Sequence, residues 1–237
     1  MTAMSAAAPA PDTPVVSVAE AIARMEAIEA ALPASDGLAC FNRIYLDVTT
    51  QVNSQLGQGG FADPAFVTQI DVAFANLFFA AADSAGDPAT APPAWRPLVE
   101  RRATAGIEPV QFALAGMNAH INHDLPLAIV SACTALGTAP DADPHPADYQ
   151  KVGQLLDAAE ESIRQSFESA TELAVDRHLS AVADLIGNWS INSARDVAWN
   201  NSLLLWAIRD DPVPRDLFLG TLTSSTVLAS RMLLVAV

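Results

Sequence analysis

Lysine is almost missing from this 237-residue chain: Lys151 is the only one, and 12 basic residues face 27 acidic ones, for a net charge of −15. Such a surface repels polyanions, so nucleic acid and anionic membranes are not expected partners. Cysteine is scarce as well. Cys40 and Cys133 each fall within an apolar helical pattern, which excludes a disulfide framework or a thiolate metal cage and reads as two small buried hydrophobes. No uninterrupted apolar run approaches the roughly 18 residues of a membrane span. The first 15 residues carry neither a basic region nor an apolar core, so a disordered tail is expected there and not a secretory signal. A cytoplasmic location is the matching expectation. Also lacking are a nucleophile-elbow serine, a dinucleotide fingerprint and a phosphate loop; the Gly57–Gly60 stretch has no Lys or Ser/Thr to hold a phosphate.

What is abundant is apolar. Hydrophobic residues are 51% of the chain against 16% charged, a globular composition and not a disordered one. A chain of this length can bury roughly 70% of its unfolded surface, so one core needs no covalent staple. Helical periodicity dominates. Ser17-Val18-Ala19-Glu20 is a capping box ahead of Ile22, Met25, Ile28 and Leu32. A second helix is expected from about Cys40 to Leu56. Asp63-Pro64 opens a third, carrying Phe66, Ile70, Phe74 and Phe78. A long helix spans about Glu108 to Leu136. The Pro/Asp-rich stretch Gly137 to Asp148 is the one long loop, with His145 expected to be solvated. Further helices fill the chain to Val237, with His178 in a charged helical segment, again solvated. The fold class is all-α: a single bundle-like domain over residues 16–237, of about eight helices, with a kinked central helix.

That central helix holds the chemistry. Gly116-Met117-Asn118-Ala119-His120-Ile121-Asn122-His123-Asp124-Leu125-Pro126 sets five polar side chains inside an Ala-rich run. Such groups are costly to bury unless paired. Residues four apart share a helix face, which makes His120 and Asp124 neighbours. Asn118 and Asn122 share the adjacent line with Gln111. His123 diverges from His120 by about 60° on a wheel of 100° per residue and falls on another flank. Gly116 and Ala119 are small enough to admit a close neighbour. Pro126 denies a hydrogen bond to the carbonyl of Asn122, so the helix should kink there or end near Leu125. Other helices offer partners on their apolar faces: Asp71, Asp196 beside Arg195 and Trp189, and Arg43 paired at i,i+4 with Asp47. Trp95, among prolines, could edge a pocket mouth.

A histidine with a carboxylate neighbour is a general acid–base pair. The catalytic candidates are His120, Asp124 and Asp71; the substrate-binding candidates are Asn118, Asn122, Arg43, Arg195, Asp196 and Trp189. With no activated nucleophile and no clear ligand set, the reading is proton-transfer chemistry of cyclase, isomerase or lyase type on a small, largely apolar metabolite, with no metal and no cofactor. One alternative is metal-dependent hydrolysis at His120 and Asp124 with Asp71 or Asp196. Another is a non-enzymatic ligand-binding or scaffold protein whose buried polar network only fixes helix packing. The oligomeric state is not readable.

Phe41-Asn42-Arg43-Ile44-Tyr45-Leu46, Asp71 to Leu77, Ala94 to Leu98 and Gln111 to Asn122 with Asp124-Leu125 resemble a family of bacterial helical proteins of unknown function, with a weaker echo at Ala194-Arg195 and Ala198-Trp199. The resemblance spans about Phe41 to Leu234. It implies one helical domain and brings no activity. It also implies that His120, Asn122 and Asp124 belong to the motif more firmly than His123.

Overall fold

Helix starts in this chain are written into the sequence as side-chain caps, and the structure, a computed structural model describing residues 13–156 and 190–236, uses them one by one. The Ser17 hydroxyl accepts from the Glu20 amide and opens α1 (Val18–Ala31). Asp36 accepts from the Leu38 amide and opens α2 (Gly37–Gly57), three residues ahead of the expected start. Asp63 accepts from the Phe66 amide, with Pro64 as the first residue of α3 (Pro64–Asp83). A short α4 (Arg96–Arg101) precedes α5 (Pro109–Met117), a π-helical turn (Asn118–Asp124) and α6 (Leu125–Leu136). Gly137, at φ 67°, ends α6 in the left-handed region that glycine tolerates best. A helix α7 covers 145–156 of the described residues. Asp211 caps α9 (Pro212–Leu233), which follows α8 (Ile191–Ile208). No strand occurs among the described residues. Trp189 and His178 lie outside them.

The helices form one all-α domain. α2 packs on α5, α3 on α6 and α1, and α6 on α8, around Phe41, Phe66, Phe78, Phe79, Trp95 and Phe112. By length and composition, α3 with its extension to Gly86 is apolar enough to cross a membrane, at mean hydropathy 1.5; a core helix satisfies the same measure, and α3 is packed on two neighbours.

The expected break at Pro126 takes another form. The chain runs on from α5 to α6 through a π turn in which the Leu125 amide reaches the His120 carbonyl, five residues back. Pro126 then sits in the first turn of α6, where a missing N–H is tolerated. π turns of this kind concentrate at functional sites.

Three further expectations are corrected. The tail boundary moves: Val15 is buried, and its N–H and C=O are both taken by the Asn76 side chain at 2.8 and 2.9 Å, because a primary amide matches the donor and acceptor of an extended residue. His145 is buried, stacked on Phe66 at 3.8 Å and fixed by the Ala139 carbonyl and Asp63. The loop before α7 is thereby tied to the start of α3, where Asp148 also accepts from the amides of Ala62 and Asp63. Trp95 is wholly buried and edges no mouth.

At Gly116 helices α5 and α2 approach closely. A Cβ built there would stand 2.5 Å from the Phe41 ring and 2.6 Å from its Cβ. Gly116→Ala should therefore destabilise the protein by about 1–3 kcal/mol in urea unfolding, although alanine is the better helix former. A neutral or stabilising result would mean that α2 and α5 are not this close.

Candidate functional site

Helices α2, α3, α7 and α8 and the π turn bring most of the side chains around one cavity of about 80 Å³. α2 contributes Phe41, Tyr45 and Thr49 at intervals of four, α3 contributes Val67, Ile70, Asp71 and Phe74, and α8 contributes Ile191 and Arg195. His120 comes from the π turn, Tyr149 and Val152 from α7. Most of the wall is aliphatic or aromatic, so the few polar groups act at low dielectric, where both pairing and its absence matter more than in water.

Asp124 organises one end. Its Oδ2 accepts from Trp95 Nε1 at 2.7 Å and faces His120 Nδ1 at a long 3.4 Å; its Oδ1 accepts from His123 Nδ1 at 2.8 Å. Burial alone would raise this carboxyl, but the hydrogen bonds from His120 and His123, joined by the charge of either ring when it is protonated, outweigh it and hold the group below its ordinary range. Asp124 is thus ionised at neutral pH. An acceptor-only carboxylate facing Nδ1 places the His120 proton on that nitrogen. Burial, stronger than the opposing pull of Asp124, lowers the His120 pKa and keeps the ring neutral. Its Nε2 then carries a lone pair, and that buried atom has no hydrogen-bond partner among the described residues.

The ring is clamped by aromatics. Phe74 stacks on it at 3.3 Å between centroids and 4° between planes, and Tyr45 meets it edge-on at 4.4 Å. Phe41 and Trp95 close the edges at 5.3 and 5.8 Å. Also at the cavity, Asp71 Oδ2 is buried without a partner among the described residues, while Tyr45 Oη and Thr49 Oγ1 are buried and paired at most with each other. Burial pushes the Asp71 carboxyl up to about 7, against the lowering charge of Arg195. Burial, and next the charge of Asp71, raises Tyr45 well above its ordinary value, so its phenol stays protonated. Arg195 is buried, its guanidinium 4.1 Å over the Tyr149 ring with Nη2 donating to the Tyr149 carbonyl.

The expected site residues divide. His120, Asp71 and Arg195 line the cavity, with Asp124 directly behind His120. Asn118 and Asn122 do not line it: Asn118 Nδ2 donates to the Thr226 carbonyl and Ser230 Oγ of α9, and its Oδ1 accepts from Asn122. Gln111, on the same line of the helix, donates to the carbonyls of Leu233 and Val235. That polar line is the seam between the central helix and α9. Arg43 points outward and pairs with Glu29, and Asp47 accepts from Gln51. Asp196 is exposed, one residue round α8 from the buried Arg195. His123, set aside on the wheel, does not line the cavity and reaches Thr223 of α9, yet its Nδ1 also meets Asp124, its neighbour in sequence.

Sequence reasoning passed over Tyr45 and Thr49 as site residues and gave Trp95 a different place. Tyr45 and Thr49 follow Phe41 at four-residue spacing, which was a usable signal; a buried indole N–H, which needs an acceptor, was the signal for Trp95. Among the described residues no three His, Cys, Asp or Glu side chains converge as a metal site. The ligand set of the metal-hydrolase alternative does not assemble: Asp124 already accepts N–H donors on both oxygens, and Asp196 is outside.

A family model for a family of unknown function (DUF5995) matches residues 18–236, and the chain belongs to that family. No curated protein and no solved structure matches the chain.

Asp71 leaves a mark on stability. Folded, its carboxyl keeps a proton up to about 7; unfolded, it releases it near 3.8. Between those values the folded state binds more protons, so stability falls as pH rises through the window and levels off above it. Asp71→Asn lacks that dependence. Its stability relative to the parent should rise by a few kcal/mol, on the order of 2–4, from about pH 4 to pH 8 in urea titrations. A constant difference across the window would contradict the raised carboxyl.

Proposed function

From membership of a family that carries no assigned activity, we propose that this protein is an enzyme moving protons on a small, largely apolar molecule. The observation that supports this most is His120: a neutral imidazole, oriented through Nδ1 by a buried carboxylate, with a bare Nε2 at a mostly apolar cavity. This is the arrangement of a general base. Nε2 takes a proton from the substrate, and the imidazolium formed is stabilised by Asp124, which stays ionised. Asp71, near balance between its two forms at neutral pH, gives or takes the second proton. The Tyr45 phenol donates to an oxygen on which negative charge develops.

Isomerisation, elimination and cyclisation need only these transfers. No activated nucleophile lines the cavity among the described residues, which sets hydrolysis through a covalent intermediate lower. A purely structural network fits less well. The Asn118–Asn122 seam is such a network and is closed on itself, whereas at the cavity His120 Nε2 and Asp71 Oδ2 have no partner among the described residues.

The test is hydrogen–deuterium exchange of small carbonyl compounds in D₂O, followed by proton NMR. The intact protein should accelerate exchange at the acidic carbon, and His120→Gln should lose that acceleration by roughly 10²–10⁴-fold while remaining folded. Equal exchange by the parent and His120→Gln, or no acceleration across the panel, would sink the proposal.

A further inference from the structure

We propose that the cavity takes a short apolar molecule bearing a single carboxylate, with its head at Arg195 and its body between α2 and α3. This rests on the cavity being the site, and not on catalysis there. Two other arginines held against the core each pair with a carboxylate. Arg24 pairs with Asp83 at 2.6 Å and Arg102 with Asp36 at 2.7 Å. Arg195, 6% exposed, has no such ion pair among the described residues and makes one side-chain hydrogen bond, from Nη2 to the Tyr149 carbonyl at 2.8 Å. A buried charge without a partner is expensive, and a guanidinium fork matches a carboxylate.

The mount is rigid. Tyr149 lies under the guanidinium at 4.1 Å, and its hydroxyl donates to the Arg195 carbonyl at 2.7 Å, so the two residues hold each other in both directions. Around the cavity the hydroxyls that can turn toward an anion are Tyr45 Oη and Thr49 Oγ1, which among the described residues meet at most each other, and Asp71 joins them when protonated. Among the described residues Arg195 is the only basic lining residue apart from the neutral His120, which suits a monoanion and leaves a phosphate dianion short of a second cation. The walls toward α2 and α3, with Val48, Val67, Ile70 and Phe74, are apolar. About 80 Å³ is the space of a few water molecules, which limits the body to a short chain.

Charged and titratable groups face Arg195 from each neighbouring element: Asp71 on α3, Tyr45 on α2, His120 in the π turn, Tyr149 on α7, and the exposed Asp196 beside it on α8. Of these, Asp71 is the one that changes charge near neutrality. Once ionised it competes with the ligand for the guanidinium, so binding is accompanied by proton uptake and weakens as pH rises.

Titration calorimetry of the intact protein with butyrate and with butyramide tests this. Butyrate should bind about tenfold or more tightly than its neutral isostere at about pH 6, and its affinity should fall by about tenfold between pH 6 and 8. Asp71→Asn should bind butyrate with little pH dependence, and Arg195→Gln should lose the preference for the anion. The Asp71→Asn arm decides the matter if Arg195→Gln fails to fold. Butyramide bound as well as butyrate, or a pH dependence unchanged in Asp71→Asn, would overturn the inference. Butyrate binding by a protein that exchanges no carbon-bound hydrogen would sink the catalytic proposal alone; exchange without a preference for the anion would sink the carboxylate site alone.

Discussion

An ionised carboxylate buried in an aromatic core has to be surrounded by donors, and Asp124 is where the centre of this molecule meets that demand. Trp95, His123 and His120 each turn an N–H toward it. The consequences spread outward. The indole of Trp95 is drawn fully into the core, where it packs with Phe41 and Phe78. His123 bridges from Asp124 to Thr223 Oγ1 and so links the centre to α9. His120 is left with one tautomer and one bare nitrogen. Removing the carboxylate would orphan two buried donors and free the ring, which is why packing and chemistry cannot be separated here.

The polar residues of the central helix therefore do two jobs on two sides. Gln111, Asn118 and Asn122 form a seam with backbone and hydroxyl groups of α9, all of them satisfied. His120 and Asp124 face the other way, toward a cavity where satisfaction is incomplete. Closed networks specify packing; open ones at a cavity leave capacity for a ligand. Arg195 follows the same logic from α8, a guanidinium mounted on Tyr149 without the ion pair that neutralises Arg24 and Arg102.

What was legible in the sequence was local. Ser17, Asp63 with Pro64, and the four-residue spacing of His120 and Asp124 depend only on residues within a turn of one another, and helical geometry converts them directly into structure. The common line of Gln111, Asn118 and Asn122 was legible too, though not what it would face. What was not legible depended on where helices land. Arg43 and Asp196 sit at the edges of amphipathic faces, and a wheel does not say which edge meets a neighbour; both turned outward. His145 was misjudged because its partners, Phe66 and Asp63, come from the start of a helix some 80 residues earlier. Family membership adds support for one helical domain and none for a reaction.

The central claim is the state of one ring: His120 neutral at neutral pH, protonated on Nδ1, with Nε2 unprotonated. Two-bond ¹H–¹⁵N correlation spectra of the histidines report this directly. His120 should show the Nδ1–H tautomer at about pH 7 and remain neutral when acidified below the ordinary histidine value near 6.5. A protonated ring at neutral pH, or the Nε2–H tautomer, would contradict it.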